Sequence, residues 1–289
     1  MILLVTFFGR NLAFIFVAIG MVSWLVIDLG RPERFLYMLR TVKLSSPMSV
    51  GSWILSGFSA FAGVAAVAEV RGELARAETL ARAGKVAEAL AIADGAVQAA
   101  MRSGYRPSEA EALLTRSRLA ALNGTLDASD DERTRKAMLT AIDTGMDELA
   151  AEAAALRVFV RGSAAETLSV ALDDVPLAEA LARRLPQPDA MLGLLANNVG
   201  TVYLRRGRPD EAQRAFEVAL TRRSASLAGD DPELANTLVN LALVEAPGPA
   251  LDAHVQRALA ISVSAFGPGH PQTIELRLAA VHRQLDPQV

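Results

Sequence analysis

Three histidines are the only imidazoles in the chain. His254, His270 and His282 show no metal-ligand spacing, and no HExxH pattern occurs. There is no cysteine, which removes disulfides, zinc–thiolate sites and cysteine nucleophiles together. His270 lies within Gly267-Pro268-Gly269-His270-Pro271, where holding a turn is the expected use. The same stretch contains proline and leads to no Lys-Ser/Thr pair, so it is no phosphate loop. The acidic pairs Asp173-Asp174 and Asp230-Asp231 stand in turn-like contexts, where helix N-capping is the ordinary use of aspartate. Serines are scattered without a G-x-S-x-G elbow. The expectation is a chain that is not an enzyme and holds no cofactor and no metal.

The polar side chains that recur in register are of another kind. Asn197, Asn198, Thr201 and Arg205 share one segment, and Asn236 and Asn240 fall on the next. A carboxamide both donates and accepts, so it can bond an extended peptide's backbone at both ends of the amide. The same side chains also serve to cap or bridge helices, and both uses stay open at this point.

These residues need elements to hold them. Leu194 to Leu220 reads LLANNVGTVYLRRGRPDEAQRAFEVAL, two amphipathic helical patterns meeting at Arg206-Gly207-Arg208-Pro209. Leu195, Val199 and Val202 recur near a 3.6 period in the first pattern. Ala212, Ala215, Phe216, Ala219 and Leu220 line one face of the second. Gly207 suits a helix end and Pro209 the first turn of the next helix. Small residues at Gly200 and Ala212 allow the two backbones to approach, and Tyr203 and Phe216 fill what remains. The pattern repeats: Asn198 returns as Asn240 after 42 residues, and Leu220 and Pro232 return as Leu259 and Pro271 after 39. A helix pair of this kind cannot bury its apolar face alone, so stacked neighbours are expected.

Gly200, Tyr203, Gly207, Ala212, Phe216, Ala219 and Leu220 fall at the spacing of the tetratricopeptide repeat (TPR), which this unit resembles. It departs at Ala196, where the family has a large aromatic, and at Ser224, where it has a proline. The Gly267–Pro271 connector resembles the G-x-x-H-P connector of kinesin-light-chain-type repeats, with Ala228-Gly229-Asp230-Asp231-Pro232 a weaker counterpart. The order of worn repeats followed by longer ones is similar to repeat segments of bacterial serine/threonine kinases, without the kinase motifs. The resemblance implies an α-solenoid whose concave surface, lined by the first helix of each pair, holds a peptide or protein ligand.

The N-terminal part differs in character. Asn11 to Ile27 carries no charge, nor does Leu44 to Ala68, where Pro47 suggests a helix start. A membrane-spanning helix needs roughly 20 apolar residues, so residues 1–70 are expected to form a transmembrane helical hairpin, in a bacterial inner membrane. Asp28-Leu29-Gly30-Arg31-Pro32-Glu33-Arg34-Phe35 and Ser46-Pro47-Met48-Ser49-Val50-Gly51-Ser52-Trp53 resemble the NrfD, or polysulfide-reductase, membrane subunits. That resemblance implies a subunit that exchanges electrons with quinone and docks an iron–sulfur partner. Asp28, Arg31, Glu33 and Arg34 then belong to a site at the membrane edge, or otherwise to a helix end and a solvated loop.

At Arg71-Gly72 apolar runs give way to short amphipathic segments rich in Ala, Glu and Arg. The expected domains are therefore 1–70 and 71–289, with the clearest repeats at 191–289. Leu74 to Ala100 reads as a pair broken at Gly84. Ser108 is the expected N-cap of a helix over 109–122, Asp130 the cap of one reaching Gly145, and Pro176 a break within 166–185. Strand-rich runs are missing outside the N-terminus, so the chain reads as all-α. The first 70 residues hold five basic side chains (Arg10, Arg31, Arg34, Arg40, Lys43) against three acidic ones. That leaves 24 of the 29 basic and 29 of the 32 acidic residues for the rest. A mildly acidic repeat domain is a poor nucleic-acid binder. Arg205, Arg206, Arg208, Arg222 and Arg223 come nearest to a basic stripe, and solvated helix ends are their expected role. Three readings follow: a membrane-tethered TPR scaffold, a fragment of a quinone-interacting subunit, or two unrelated pieces joined at Arg71.

Overall fold

The computed structural model describes residues 47–274 and 276–278, with side chains from residue 63 onward. Among these residues every regular element is a helix. The α-helices are α1 (Pro47–Arg82), α2 (Val86–Ser103), α3 (Arg106–Asn123), α4 (Ala128–Asp143) and α5 (Asp147–Ser163). A 3-10 helix, Leu168–Asp174, leads into α6 (Val175–Ala182). Then come α7 (Asp189–Arg205), α8 (Pro209–Ser226), α9 (Pro232–Ala242) and α10 (Pro249–Phe266), and a further helix starts at residue 271. The chain divides into two compact units, 1–66 and 67–289, and each is taken by itself. Of the first unit, helical backbone from Pro47 and side chains from residue 63 are described. The expected span at 11–27, and Asp28, Arg31, Glu33 and Arg34, lie outside the described residues. Helix α1 starts at Pro47 as its sequence suggests, and it runs on without a break through Arg71 and Gly72. Among the described residues no helix is long and apolar enough to cross a membrane.

The second unit is an array of antiparallel helix pairs. From α2 to α10 each helix packs on its sequence neighbour, α1 meets α2 around Ala77, Ala89 and Ala93, and the first helices of successive pairs also touch: α3 on α5, α5 on α7, α7 on α9. The turns follow from glycine. Gly124 and Gly207 end α3 and α7 with φ of 65° and 69°. Thr125 and Arg208 then donate back to Ala120 and Tyr203 at 3.0 Å, closing the last turn of each helix. Proline follows at the first turn of α3, α6, α8, α9 and α10, where its missing N–H is no loss.

The core is built largely of alanine. Ala77, Ala89, Ala93, Ala110, Ala137, Ala150, Ala212 and Ala219 are fully buried, which lets helix axes approach closely. Between α7 and α8, Phe216 is fully buried and its ring occupies the space above Gly200, where a Cβ would lie 2.5 Å from the ring. Burial of that ring contributes about 1.5–3 kcal/mol. Tyr203, Leu204, Leu220 and Val244 close around it, and the Arg208 guanidinium lies over the Tyr203 ring at 5.2 Å.

Several local expectations need correction. Helix α3 begins at Arg106, so Ser108 sits inside its first turn, buried, with no partner for its hydroxyl. Asp127, not Asp130, caps α4. Asp127 accepts from the Ser129 N–H at 2.7 Å, and Asp130 reaches back to the Asp127 N–H at 3.0 Å as the other half of the capping box. The break expected at Pro176 is present: the 3-10 helix ends at Asp174 and α6 begins at Val175. Asp231 does cap α9, accepting from the Glu233 N–H at 2.8 Å.

Candidate functional site

The odd-numbered helices present a connected row of polar side chains. At its start, Arg71 of α1 holds Glu111 of α3 through two bonds of 3.0 and 2.8 Å, and this pairing holds the guanidinium above its ordinary value. Arg118 of α3 reaches Glu78 of α1 on one side and Glu152 of α5 on the other, the latter at 2.8 Å. Between α5 and α7 the bonds turn to backbone: the Asn198 amide donates to the Ala155 carbonyl at 2.8 Å and Arg205 to the Ser163 carbonyl at 3.0 Å. Between α7 and α9, Asn240 donates to the Asn197 side-chain oxygen at 3.0 Å. Between α9 and the helix starting at 271, Gln272 donates to the Asn236 side-chain oxygen at 2.8 Å.

The six residues singled out in the sequence thus stand on these helices, and all but Thr201 bond between helices. They differ in what they leave open. Asn198 is 6% exposed, and its buried amide finds its partner across the interface in the Ala155 carbonyl. The Thr201 hydroxyl donates to the Asn197 carbonyl at 3.2 Å, one turn back on α7. Arg205 is exposed but holds the end of α5. Asn197 and Asn240 are half-buried and Asn236 is exposed. Their mutual bonds use one half of each carboxamide, so the Asn197 and Asn236 amino groups and the Asn240 and Gln272 carbonyls keep capacity for another partner.

Gln272 and the charged rungs Glu78, Arg118, Glu152, Arg71 and Glu111 were not singled out from sequence. A signal for them exists. Glu78 to Arg118 is 40 residues, Arg118 to Glu152 is 34, and Asn197 to Asn240 is 43, each about one repeat. Complementary residues one repeat apart on successive first helices are the pattern to search for.

The arginines expected as solvated ends do more than that. Arg223 of α8 is 2% exposed, donates to the Glu233 carbonyl and the Thr237 hydroxyl at 2.9 and 2.7 Å, and pairs with the Glu233 carboxylate at 3.0 Å. Burial outweighs that carboxylate and lowers its pKa from the ordinary arginine value. Arg206 grips the Leu168 and Ser169 carbonyls. On α5, Arg157 and Arg161 bind Asp174 at 2.9 and 2.7 Å, and Arg157 also holds Asp131. The Asp174 bond raises the pKa of Arg161 despite its burial.

A groove of about 560 Å³ lies over α2, α3 and α4, floored by Val97, Met101 and Leu113. The charges at its rim are already paired: Asp94 with Arg116, Lys136 with Glu109, Arg133 with Asp130, and Glu132 with Arg135. It offers apolar surface and no free charge to orient a polar ligand. Among the described residues no group of His, Asp or Glu is placed to hold a metal.

Comparison with known proteins gives two family matches. Residues 192–246 match the family described as Tetratricopeptide repeat. Residues 3–103 match the family described as Polysulphide reductase, NrfD, a match that runs past Arg71 and takes in α1 and α2. No curated protein matches the chain. Similar solved structures include the following three. A putative kinesin light chain with nearly identical TPR-like repeats from Podosopora anserina has 15% identity, covers 68% of this chain and 97% of that one, and gives a TM-score of 0.44. A point variant of that protein has 15% identity, covers 68% and 96%, and gives 0.45. BtubC (BKLC) from P. vanneervenii has 19% identity, covers 75% and 92%, and gives 0.43. The likeness to bacterial kinase repeat segments receives no specific support from these comparisons.

Proposed function

We propose that the chain is a membrane-tethered scaffold for protein–protein interaction. Residues 1–70 form the membrane hairpin and residues 71–289 the repeat domain. The odd-numbered helices line a concave face that holds an extended peptide or protein segment. The observation that carries this reading is the row of half-used carboxamides. Asn197 and Asn240 keep one donor and one acceptor between them, and Asn236 and Gln272 keep another such pair. An extended backbone offers C=O and N–H groups in alternation, and such a row answers both. Asn197, Asn236 and Asn240 are therefore the ligand-facing members, while Asn198 and Arg205 hold the helices that present them and Thr201 bonds within α7. The tetratricopeptide match over 192–246 covers Asn197 to Asn240 and supports the same reading. No nucleic acid, cofactor or catalytic step enters it.

The experiment is selection of peptides from a random display library on the full-length chain in detergent. Selected peptides are expected to lose binding at least tenfold when Asn197 and Asn240 are both changed to alanine, with helicity retained. Undiminished binding would overturn the assignment. Membrane placement, in a bacterial inner membrane, is supported by the uncharged runs of the sequence and by the NrfD match. The full chain is expected to stay in the membrane pellet through an alkaline carbonate wash; release into the supernatant would refute the tether.

The NrfD match also favours a second reading, a fragment of a quinone-interacting oxidoreductase subunit. It expects the membrane-bound chain to bind a ubiquinone or menaquinone analogue and to co-purify with an iron–sulfur protein. The scaffold reading expects neither.

A further inference from the structure

The first turn of the repeat array meets its last connector. At Gly84, between α1 and α2, an added Cβ would lie 3.3 Å from Cδ and 3.4 Å from Cγ of Pro271, and 3.6 Å from Nε2 of His270. The His270 ring stacks on Phe266 with centroids 4.7 Å apart and an interplanar angle of 24°. Its Nδ1 accepts from the Gln272 N–H at 3.3 Å, while its Nε2 is buried with no hydrogen-bond partner.

We propose that this contact is a clasp, which closes the repeat array on itself and opens without unfolding of the helices. The turn at Gly84 lies within a pair, whereas the Gly267–Pro271 connector lies between pairs. Those are opposite edges of a helical-repeat array. Their meeting means that the array completes about one superhelical revolution between α1 and the helix starting at 271. The clasp is small: a proline ring on a backbone that carries no side chain. Among the described residues no hydrogen bond or ion pair joins 83–85 to 267–272. One buried imidazole nitrogen is left unsatisfied there, which opposes closure. An apolar contact this limited separates more readily than any helix pair melts. It also stands beside the polar row. Gln272 follows Pro271 directly and makes the last bond of that row, to Asn236. Opening the clasp moves the helix that carries Gln272, so curvature and the spacing of the row change together.

The absence of cysteine makes the test direct, because two introduced thiols are the only ones in the chain. Lys85→Cys and Gly269→Cys place spin labels on exposed positions at the two sides of the contact. Pulsed dipolar spectroscopy on the full-length chain is expected to show a narrow, short inter-label distance. Gly84→Asn then adds a side chain where Pro271 sits. Asparagine tolerates the left-handed backbone that Gly84 adopts at φ 78°, so the turn itself is kept. The expected result is a several-fold gain of long distances with unchanged helical circular dichroism. Pro271→Ala, which trims the same contact from the other side, is expected to do likewise and decides the matter if Gly84→Asn loses helicity. A broad, long distribution in the parent protein overturns the clasp. So does a short distance that persists in Pro271→Ala.

Discussion

Single side chains decide how close two helices of this array come. Gly200 and Phe216 are one such pair, with the ring filling the space a Cβ would take. Gly200→Ala is expected to lower stability by about 1–3 kcal/mol, because the ring must leave a packed rotamer. Equilibrium denaturant unfolding checks it, and an unchanged midpoint would mean that the helices separate at no cost. Asn198 and Asn236 make a second contrast. Asn198→Ala removes a buried hydrogen bond between α5 and α7 and is expected to cost about 0.5–1.5 kcal/mol. Asn236→Ala changes an exposed side chain and is expected to stay within about 0.5 kcal/mol. Equal effects would contradict the burial difference. The pattern of small and aromatic residues at 200–220 was legible because packing of a helix pair dictates it. The division of labour among the amides was not, because sequence spacing places Asn197 and Asn198 side by side on α7. A rotation of about 100° between consecutive residues sends one amide inward and leaves the other at the surface.

At the scale of elements, helix starts were the least legible feature. Asp127 and Asp130 both suit a cap, and the sequence does not say which one adopts the extended backbone that a cap requires. In the fold Asp127 does, with φ −124° and ψ 174°, and Asp130 becomes the reciprocal partner. Ser108 misled for the same reason, since Pro107 starts α3 one turn earlier than the serine suggests. The cap of α4 has a consequence in acid. The hydrogen bond from the Ser129 hydroxyl, then that from the Ser129 N–H and the charges of Arg133 and Arg116, hold the Asp127 carboxyl below its ordinary 3.8. A carboxyl whose folded pKa lies below its unfolded one stabilises the fold fully above the unfolded value. That contribution falls away as pH drops through the folded one. Stability is therefore expected to decline below about pH 4. Asp127→Asn keeps a good capping residue without the titrating charge, so thermal melts between pH 2 and pH 5 are expected to show a shallower acid limb. An unchanged limb would assign the acid sensitivity to other carboxyls. Asp127→Ala removes the cap at every pH and is expected to cost about 0.5–2 kcal/mol near neutrality.

For the whole molecule, the all-α class and the pairing of helices followed from alanine-rich amphipathic periods broken at glycine. The sequence also marked a change of character at Arg71, yet the NrfD match extends to residue 103 and helix α1 crosses that point unbroken. Composition reports solvent environment, not where a backbone element ends, so a continuous helix can carry two compositions. The closure at Gly84 was the least legible feature of all, because it joins residues at opposite ends of the array that share no motif.

Arg118 carries a last consequence. A linear array with contacts only between adjacent units loses its ends first, each unit fraying almost independently. Arg118 on α3 holds carboxylates on the first helices of the pairs before and after its own, Glu78 on α1 and Glu152 on α5, so one cation spans two interfaces. Removing it weakens both at once, each by about 1 kcal/mol or less, because the side chain is partly solvated. Amide exchange of Arg118→Ala is expected to show a modest loss of protection, about 1 kcal/mol or less, in α1, α3 and α5 together, while that of α7 through α9 is unchanged.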